Sequence, residues 1–159
     1  MPVDPGKSRI AAADDAGTLA RLARFFWGER ALSVLALAAV AGFAISAYLT
    51  SVHFASVPLF CSTTGVVNCA AVTSSAYSVV PFTQIPITIP GMLFFAASAG
   101  LAAVGLRCAW AGLAEPSRLR VAHVALGAAG LLFVLYLVFA EIALLRKICE
   151  WCTAVHLLT

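Results

Sequence analysis

No Asp, Glu, Lys or Arg occurs between Ala31 and Leu106, an uncharged run of 76 residues in a chain of 159. A water-soluble domain carries charge on roughly a quarter of its residues, and no soluble surface of that length does without it. The run must therefore lie in lipid or pack against chain that does. The rest of the composition agrees: 62% of residues are hydrophobic, 11% are charged and the mean hydropathy is +0.99. A nucleic-acid binder, a soluble enzyme and a disordered tail are excluded. The chain is an integral protein of a lipid bilayer.

The positions of the charges give an orientation, because Lys and Arg are retained in short cytoplasmic loops. Lys7, Arg9, Arg21, Arg24 and Arg30 precede the first apolar run, and Arg107, Arg118 and Arg120 fall in a hydrophilic gap at residues 107–120. The long segment between the first two apolar runs has none. The N-terminus and the 107–120 loop are accordingly expected in the cytoplasm, and residues 53–86 on the other side. This placement accounts for the net charge of +3 without an acidic partner.

About 20 apolar residues cross a hydrocarbon core of roughly 30 Å. Expected spans are Ala31–Phe54, Ile85–Leu106 and Val121–Leu145. The second contains Gly91, Gly100 and Gly105, which let helices approach closely, and the third carries Glu141 near its outer end. A fourth apolar helix begins at Ile148 and reaches Thr159 after 12 residues, or about 18 Å, and is read as a span cut short. The expected fold is all-α: a four-helix membrane bundle with an outer loop cap, residues 53–86, that carries a cysteine pair. Residues 1–30 are expected as a flexible tail and a short interfacial helix with Phe25, Phe26 and Trp27 at the headgroups, and residues 31–159 as the transmembrane domain. A cleavable signal is not expected, since no short apolar core ends in a small-residue cleavage site. The cap is long, apolar and uncharged, with Pro58, Pro81, Pro86 and a Thr73-Ser74-Ser75 cluster. Such a segment is expected to fold back over the helices rather than merely connect them.

Five cysteines carry the chemistry. Cys61, Cys69, Cys149 and Cys152 fall on the outer side, where disulfides persist, whereas Cys108 at the cytoplasmic end reads as a free, buried thiol. Cys149-Glu150-Trp151-Cys152 opens a helix. That is the arrangement of thiol–disulfide oxidoreductases, whose exposed first thiol is activated by the helix N-terminus. A closed zinc site would need two more ligands at matching spacing, and His53, His123 and His156 are scattered, so no metal is expected. Cys61 and Cys69 could simply staple the loop, for about 2–3 kcal/mol, or form a second, mobile pair that exchanges with the first. The Cys-x-x-Cys on the same face favours exchange.

Cys61-x7-Cys69, then Ser75 six residues on, then Cys149-x-x-Cys152 at the outer start of a fourth helix, together resemble the vitamin K epoxide reductase family and its bacterial disulfide-forming homologues. The resemblance spans about residues 30–159. It implies a membrane thiol–disulfide oxidoreductase that forms disulfides in partner proteins and passes the electrons through two cysteine pairs to a quinone, whether menaquinone, ubiquinone or vitamin K. By position, Cys152 would lie nearest the quinone and Cys149 would exchange with Cys69. Cys69 would shuttle with Cys61, which meets the protein substrate, while Ser75 and His156 would contact the quinone. The asparagine that animal members carry before the second helix has no counterpart in Pro86-Ile87-Thr88-Ile89-Pro90-Gly91, which favours a quinone over an epoxide as acceptor. The implied partner is a separate thioredoxin-like periplasmic protein, and the implied location is a bacterial inner membrane. Glu141 and Arg146, about a turn apart, read as an interfacial ion pair. Three further readings compete. The first is an assembly or anchor protein with structural disulfides, and the second is a metal-handling protein using Cys149, Cys152 and His156. The third is the other four-helix disulfide oxidase, whose Cys-x-x-Cys lies in the first outer loop.

Overall fold

A computed structural model describes residues 5–55, 59–61 and 64–159, with side chains from Gly28 onward. Helix α1 runs Pro5–Ala55, α2 Cys69–Thr73, α3 Thr88–Trp110, α4 Ser117–Phe139 and α5 Glu150–Leu158; a 3₁₀ turn covers Ala76–Ser78 and a π-helical turn Ala140–Leu145. Among the described residues no strand forms beyond isolated bridges. Three stretches are long and apolar enough to cross a membrane: Gly28–Ala55, Thr88–Trp110 and Ser117–Leu145. The shortest has 23 residues, about 35 Å of helix against a core of roughly 30 Å. They match the three full spans expected from the sequence. α1 begins at Pro5, so residues 5–30 of the stretch expected to form a tail and a separate interfacial helix are the start of one helix, while residues 1–4 lie outside the described residues. The fourth helix, α5, has nine residues.

The spans turn apolar side chains outward, including Leu37, Val40, Val124 and Leu132, and such a surface is stable only in lipid. Inward packing relies on small residues. α1 packs chiefly on α3, where Gly42 has no side chain and the buried Phe95 ring lies directly against its backbone. Towards the end that carries the cap, the same contact becomes polar. Thr50 Oγ1 and Thr88 Oγ1 share a 2.6 Å hydrogen bond, and Thr50 also donates to the Ser46 carbonyl at 2.8 Å. At the opposite end the Trp110 indole donates to Glu29 Oε1 at 2.7 Å. Cys108, expected buried, is half-buried on α3.

The cap doubles back on itself. An antiparallel bridge joins Val79 to Pro86, and the Val80 N–H donates to the Ile85 carbonyl at 2.8 Å. This closes a tight loop around Phe82, which adopts φ +65°. Cap residues Val72, Thr73, Ser75 and Tyr77 share a small cavity with Leu49 of α1 and Leu137 of α4, so the cap forms a lid on the helix ends.

Candidate active site

The two cysteine pairs are brought together by backbone pairing. Val67 of the cap and Ile148, just before α5, form a parallel bridge. The Asn68 N–H donates to the Ile148 carbonyl at 3.0 Å, and the Ile148 N–H donates to the Val66 carbonyl at 3.0 Å. Lys147 Nζ adds a 2.8 Å bond to the Gly65 carbonyl. The residues that follow this ladder are Cys69 and Cys149. Both are fully buried, in one cluster with Val72, edged by Leu59, Cys61, Leu145, Trp151 and Cys152. Cys61 and Cys69 form a disulfide with Cα atoms 6.1 Å apart, while Cys149 and Cys152 are free thiols.

Each buried cysteine sits at a helix start for a local reason. Asn68 caps α2, its Oδ1 accepting the Ala71 N–H at 2.9 Å, as short polar side chains do. At α5 the Cys149 sulfur takes that role, accepting the Cys152 N–H at 3.3 Å. The helix start inferred from sequence therefore stands, but the expected exposure of Cys149 does not. The 66–68 segment and α2 cover it completely. Within the two pairs the half-buried cysteines are Cys61 and Cys152, one from each.

Sequence reasoning gave no role to Trp151, inside the Cys-x-x-Cys. Its indole N–H donates to the Phe60 carbonyl at 2.6 Å, its ring lies 5.2 Å from that of Tyr48, and the Tyr48 hydroxyl accepts the Phe60 N–H at 3.4 Å. The residue preceding Cys61 is thus tied at both backbone groups to α1 and α5.

The thiols of the second pair are unequal. A hydrogen bond from the Cys152 side chain, with the Cys152 and Trp151 N–H groups, holds the Cys149 thiol below the ordinary thiol range, against burial and the nearby Glu141 charge. The same hydrogen bond, with burial, holds Cys152 above that range. A depressed value means that the thiolate persists as pH falls below the usual thiol pKa of about 8.5. Replacing the donor by Cys152→Ala should move the midpoint of Cys149 alkylation against pH upward in reduced protein. An unchanged midpoint would refute the Cys152 donor.

Glu141 departs most from the sequence reading. It is 6% exposed, and its Oε2 accepts the Cys149 N–H at 3.4 Å. The expected ion pair with Arg146 does not form, because the helix changes pitch there. The π turn ends at Arg146, whose φ of +52° leaves both its N–H and that of Lys147 on the Glu141 carbonyl. The side chain of Glu141 is thereby left under the Cys-x-x-Cys.

Three adjoining cavities meet at this point. An apolar one of about 280 Å³ lies between α1, α3, α4 and α5, lined by Phe94, Phe95, Gly130 and Leu137, with Cys152 and His156 at its wall. That is near the lower end of the roughly 300–1,000 Å³ usual for small-molecule sites. A second of about 60 Å³ holds Glu141, Cys152, His156 and Ser75. The third, a crevice of about 550 Å³ beneath the cap, is lined by His53, Thr73, Ser74, Ser75, Ser78 and Gln84. His156 thus faces the apolar cavity beside Cys152. Ser75 lines the other two spaces instead, with its hydroxyl donating to the Val72 carbonyl at 2.7 Å. The polar lining of the first cavity consists of Ser46, Thr88 and Thr159 besides Cys152 and His156.

The metal-handling alternative drew on Cys149, Cys152 and His156. Among the described residues, the possible ligand atoms that come within 4.8 Å of one another belong instead to Cys61, Cys69 and Glu150, and both sulfurs are committed to the disulfide.

The sequence model of the Vitamin K epoxide reductase family matches residues 33–159. No curated protein matches the chain.

Proposed function

The chain belongs to the vitamin K epoxide reductase family, which makes it a membrane oxidoreductase of disulfide chemistry, and from that premise we propose that it forms disulfides in partner proteins and delivers the electrons to a quinone. The observation that carries this reading is the ladder that sets Cys69 beside Cys149 in one buried cluster, with Cys152 opening onto an apolar cavity. A pair of structural staples would not need its neighbour in register.

The relay follows from the accessibilities. A thiolate of the partner attacks Cys61, the half-buried sulfur of the loop pair, and the mixed disulfide resolves to give an oxidised partner and two thiols at Cys61 and Cys69. Cys69, already packed against Cys149, attacks that sulfur of the Cys149–Cys152 disulfide, and Cys152 leaves and takes up one of the loop pair's protons. Cys61 then attacks Cys69, re-forming the loop disulfide, losing its own proton and releasing Cys149 as the stabilised thiolate. A quinone, when bound, supplies a two-electron, two-proton acceptor. Phe94, Phe95 and Leu137 would hold its ring, His156 would donate to a ring oxygen, and Cys152 would face it. The cap keeps water from the buried Cys69 and Cys149.

The reading places the N-terminus in the cytoplasm of a bacterial cell and the cysteines on the periplasmic side, where a thioredoxin-like protein would be the partner. The test is quinone reduction by purified protein supplied with a small dithiol or with a reduced thioredoxin-like protein. Wild type should use both. Cys61→Ala should keep the small dithiol, which can reach Cys152 through the cavities, and lose the protein dithiol by about tenfold or more. A wild type inactive with both, whose outer cysteines resist alkylation unless reduced first, would return the molecule to the structural-disulfide reading.

A further inference from the structure

The relay leaves Glu141 unused, yet its side chain lies at the second cysteine pair. Its Oε2 accepts the Cys149 N–H at 3.4 Å, and it lines a cavity of about 60 Å³ together with Cys152 and His156. The ion pairs among the described residues involve Glu115, not Glu141. The titratable groups facing it are Cys149, Cys152 and His156 from α5 and its cap, and Tyr77 from the cap loop. α1, α3 and the residue before α3 contribute only Leu49, Thr88 and Ile87. A buried carboxylate in a spanning segment is costly and marks function more often than structure.

Its place among the cavities suggests which function. The Glu141 cavity shares Cys152 and His156 with the apolar cavity on one side, and Thr73 and Ser75 with the open crevice on the other. The carboxylate lies between the redox thiol and two spaces, one suited to the acceptor and one lined by hydroxyls that reach the surface.

Resting on the relay reading, we propose that Glu141 is the proton acceptor of the Cys149–Cys152 pair, taking the Cys152 thiol proton as that disulfide closes and yielding it to the quinone. Cys149 enters as thiolate and Cys152 as thiol. Closing the S–S bond breaks the Cys152 S–H bond, releases two electrons to the acceptor and turns the Glu141 carboxylate into a neutral carboxyl. Of the two protons the acceptor needs, one comes from Glu141 and the other from solution through the crevice at Thr73 and Ser75. The proton is freed only as the disulfide closes, beside a side chain that shares the cavity of Cys152.

The test compares wild type with Glu141→Gln, which keeps an oxygen for the Cys149 N–H but cannot take the proton. In a Cys61→Ser/Cys69→Ser background, the Cys149–Cys152 pair is equilibrated with a dithiothreitol buffer at several neutral pH values, trapped and weighed. Each proton released to solution changes the constant about tenfold per pH unit, equivalent to about 30 mV for a two-electron couple. The ratio of the Gln variant's constant to that of wild type should change about tenfold per pH unit, because wild type retains a proton that the variant releases. The oxidised-minus-reduced infrared spectrum of wild type should show a carboxylic acid C=O band, absent in Glu141→Gln and displaced in Glu141→Asp. Quinone reduction should fall about 10²-fold or more in Glu141→Gln and recover partly in Glu141→Asp. Equal pH dependence overturns the proposal and leaves Glu141 as a helix cap. If the Gln variant does not fold, absence of the wild-type band overturns it alone. A wild type that shows the band and the retained proton yet reduces no quinone supports the acceptor role and overturns the relay reading instead.

Discussion

A chain carrying Cys61→Ser and Cys152→Ser should lock itself through a Cys69–Cys149 disulfide on mild oxidation, nearly to completion. The substitutions remove the half-buried partner of each pair and leave the two fully buried sulfurs of the cluster. Their backbones are held by the ladder from Val66 to Asn68 against Ile148, which pairs main chain with main chain and does not depend on the missing thiols. Each sulfur sits at a helix start, and Cys149 is held towards its thiolate, the form that closes a disulfide. The control, Cys61→Ser with Cys149→Ser, leaves Cys69 and Cys152 and should close slowly or not at all. Alkylation before and after reduction, read by intact mass, distinguishes the two. The locked chain should also pass electrons from dithiol to quinone at least about 10³-fold more slowly than wild type, as expected when a covalent step is removed. If Cys69 and Cys149 both alkylate fully without reduction, the pairs are not in register and the relay has no contact point.

Much of this arrangement was legible in the chain itself, and what was not has a definable cause. The uncharged run from Ala31 to Leu106 forced membrane spans, since lipid leaves the backbone no partners outside helices. The spacing of Cys149 and Cys152 placed them at a helix start because that is where the chemistry works. What hid Glu141 was a change of helical pitch. Read as α-helix, Glu141 and Arg146 lie near one another at a membrane edge and look like an ion pair. The π turn and the left-handed Arg146 break that geometry, and neither is encoded by a residue type such as Gly or Pro. The one available signal was Glu141 itself, a single acid in an apolar span eight residues before Cys149. The Trp151–Phe60–Tyr48 tie was hidden for another reason: it joins α1, the cap segment and α5, and no local residue pattern signals that contact. Burial of Cys149 has the same origin, since its cover comes from the cap, 80 residues earlier in the chain.

Filling the apolar cavity should separate acceptor reduction from disulfide exchange, and Gly130 is the position at which to do it. A Cβ there would stand 2.6 Å from Phe94 Cε2 and 2.9 Å from Thr159 Cγ2, and all three residues line the cavity. Gly130→Leu must therefore push the Phe94 ring and its own branch into the space between α3, α4 and α5. Overpacking of this kind costs about 1–3 kcal/mol. Quinone reduction with a small dithiol should fall on the order of 10²-fold, the cost of displacing a bound partner by about an ångström, with the loss concentrated in a higher KM for quinone. Transfer between the two cysteine pairs should be unchanged, because Gly130 touches neither the ladder nor the buried cluster. Both rates can be read on one preparation, the first by quinone absorbance and the second by trapping thiols after a single addition of reductant. If exchange falls in parallel with reduction, the substitution has disturbed the bundle as a whole. If neither changes, the acceptor binds elsewhere, and Cys152 must reach it by a route other than this cavity.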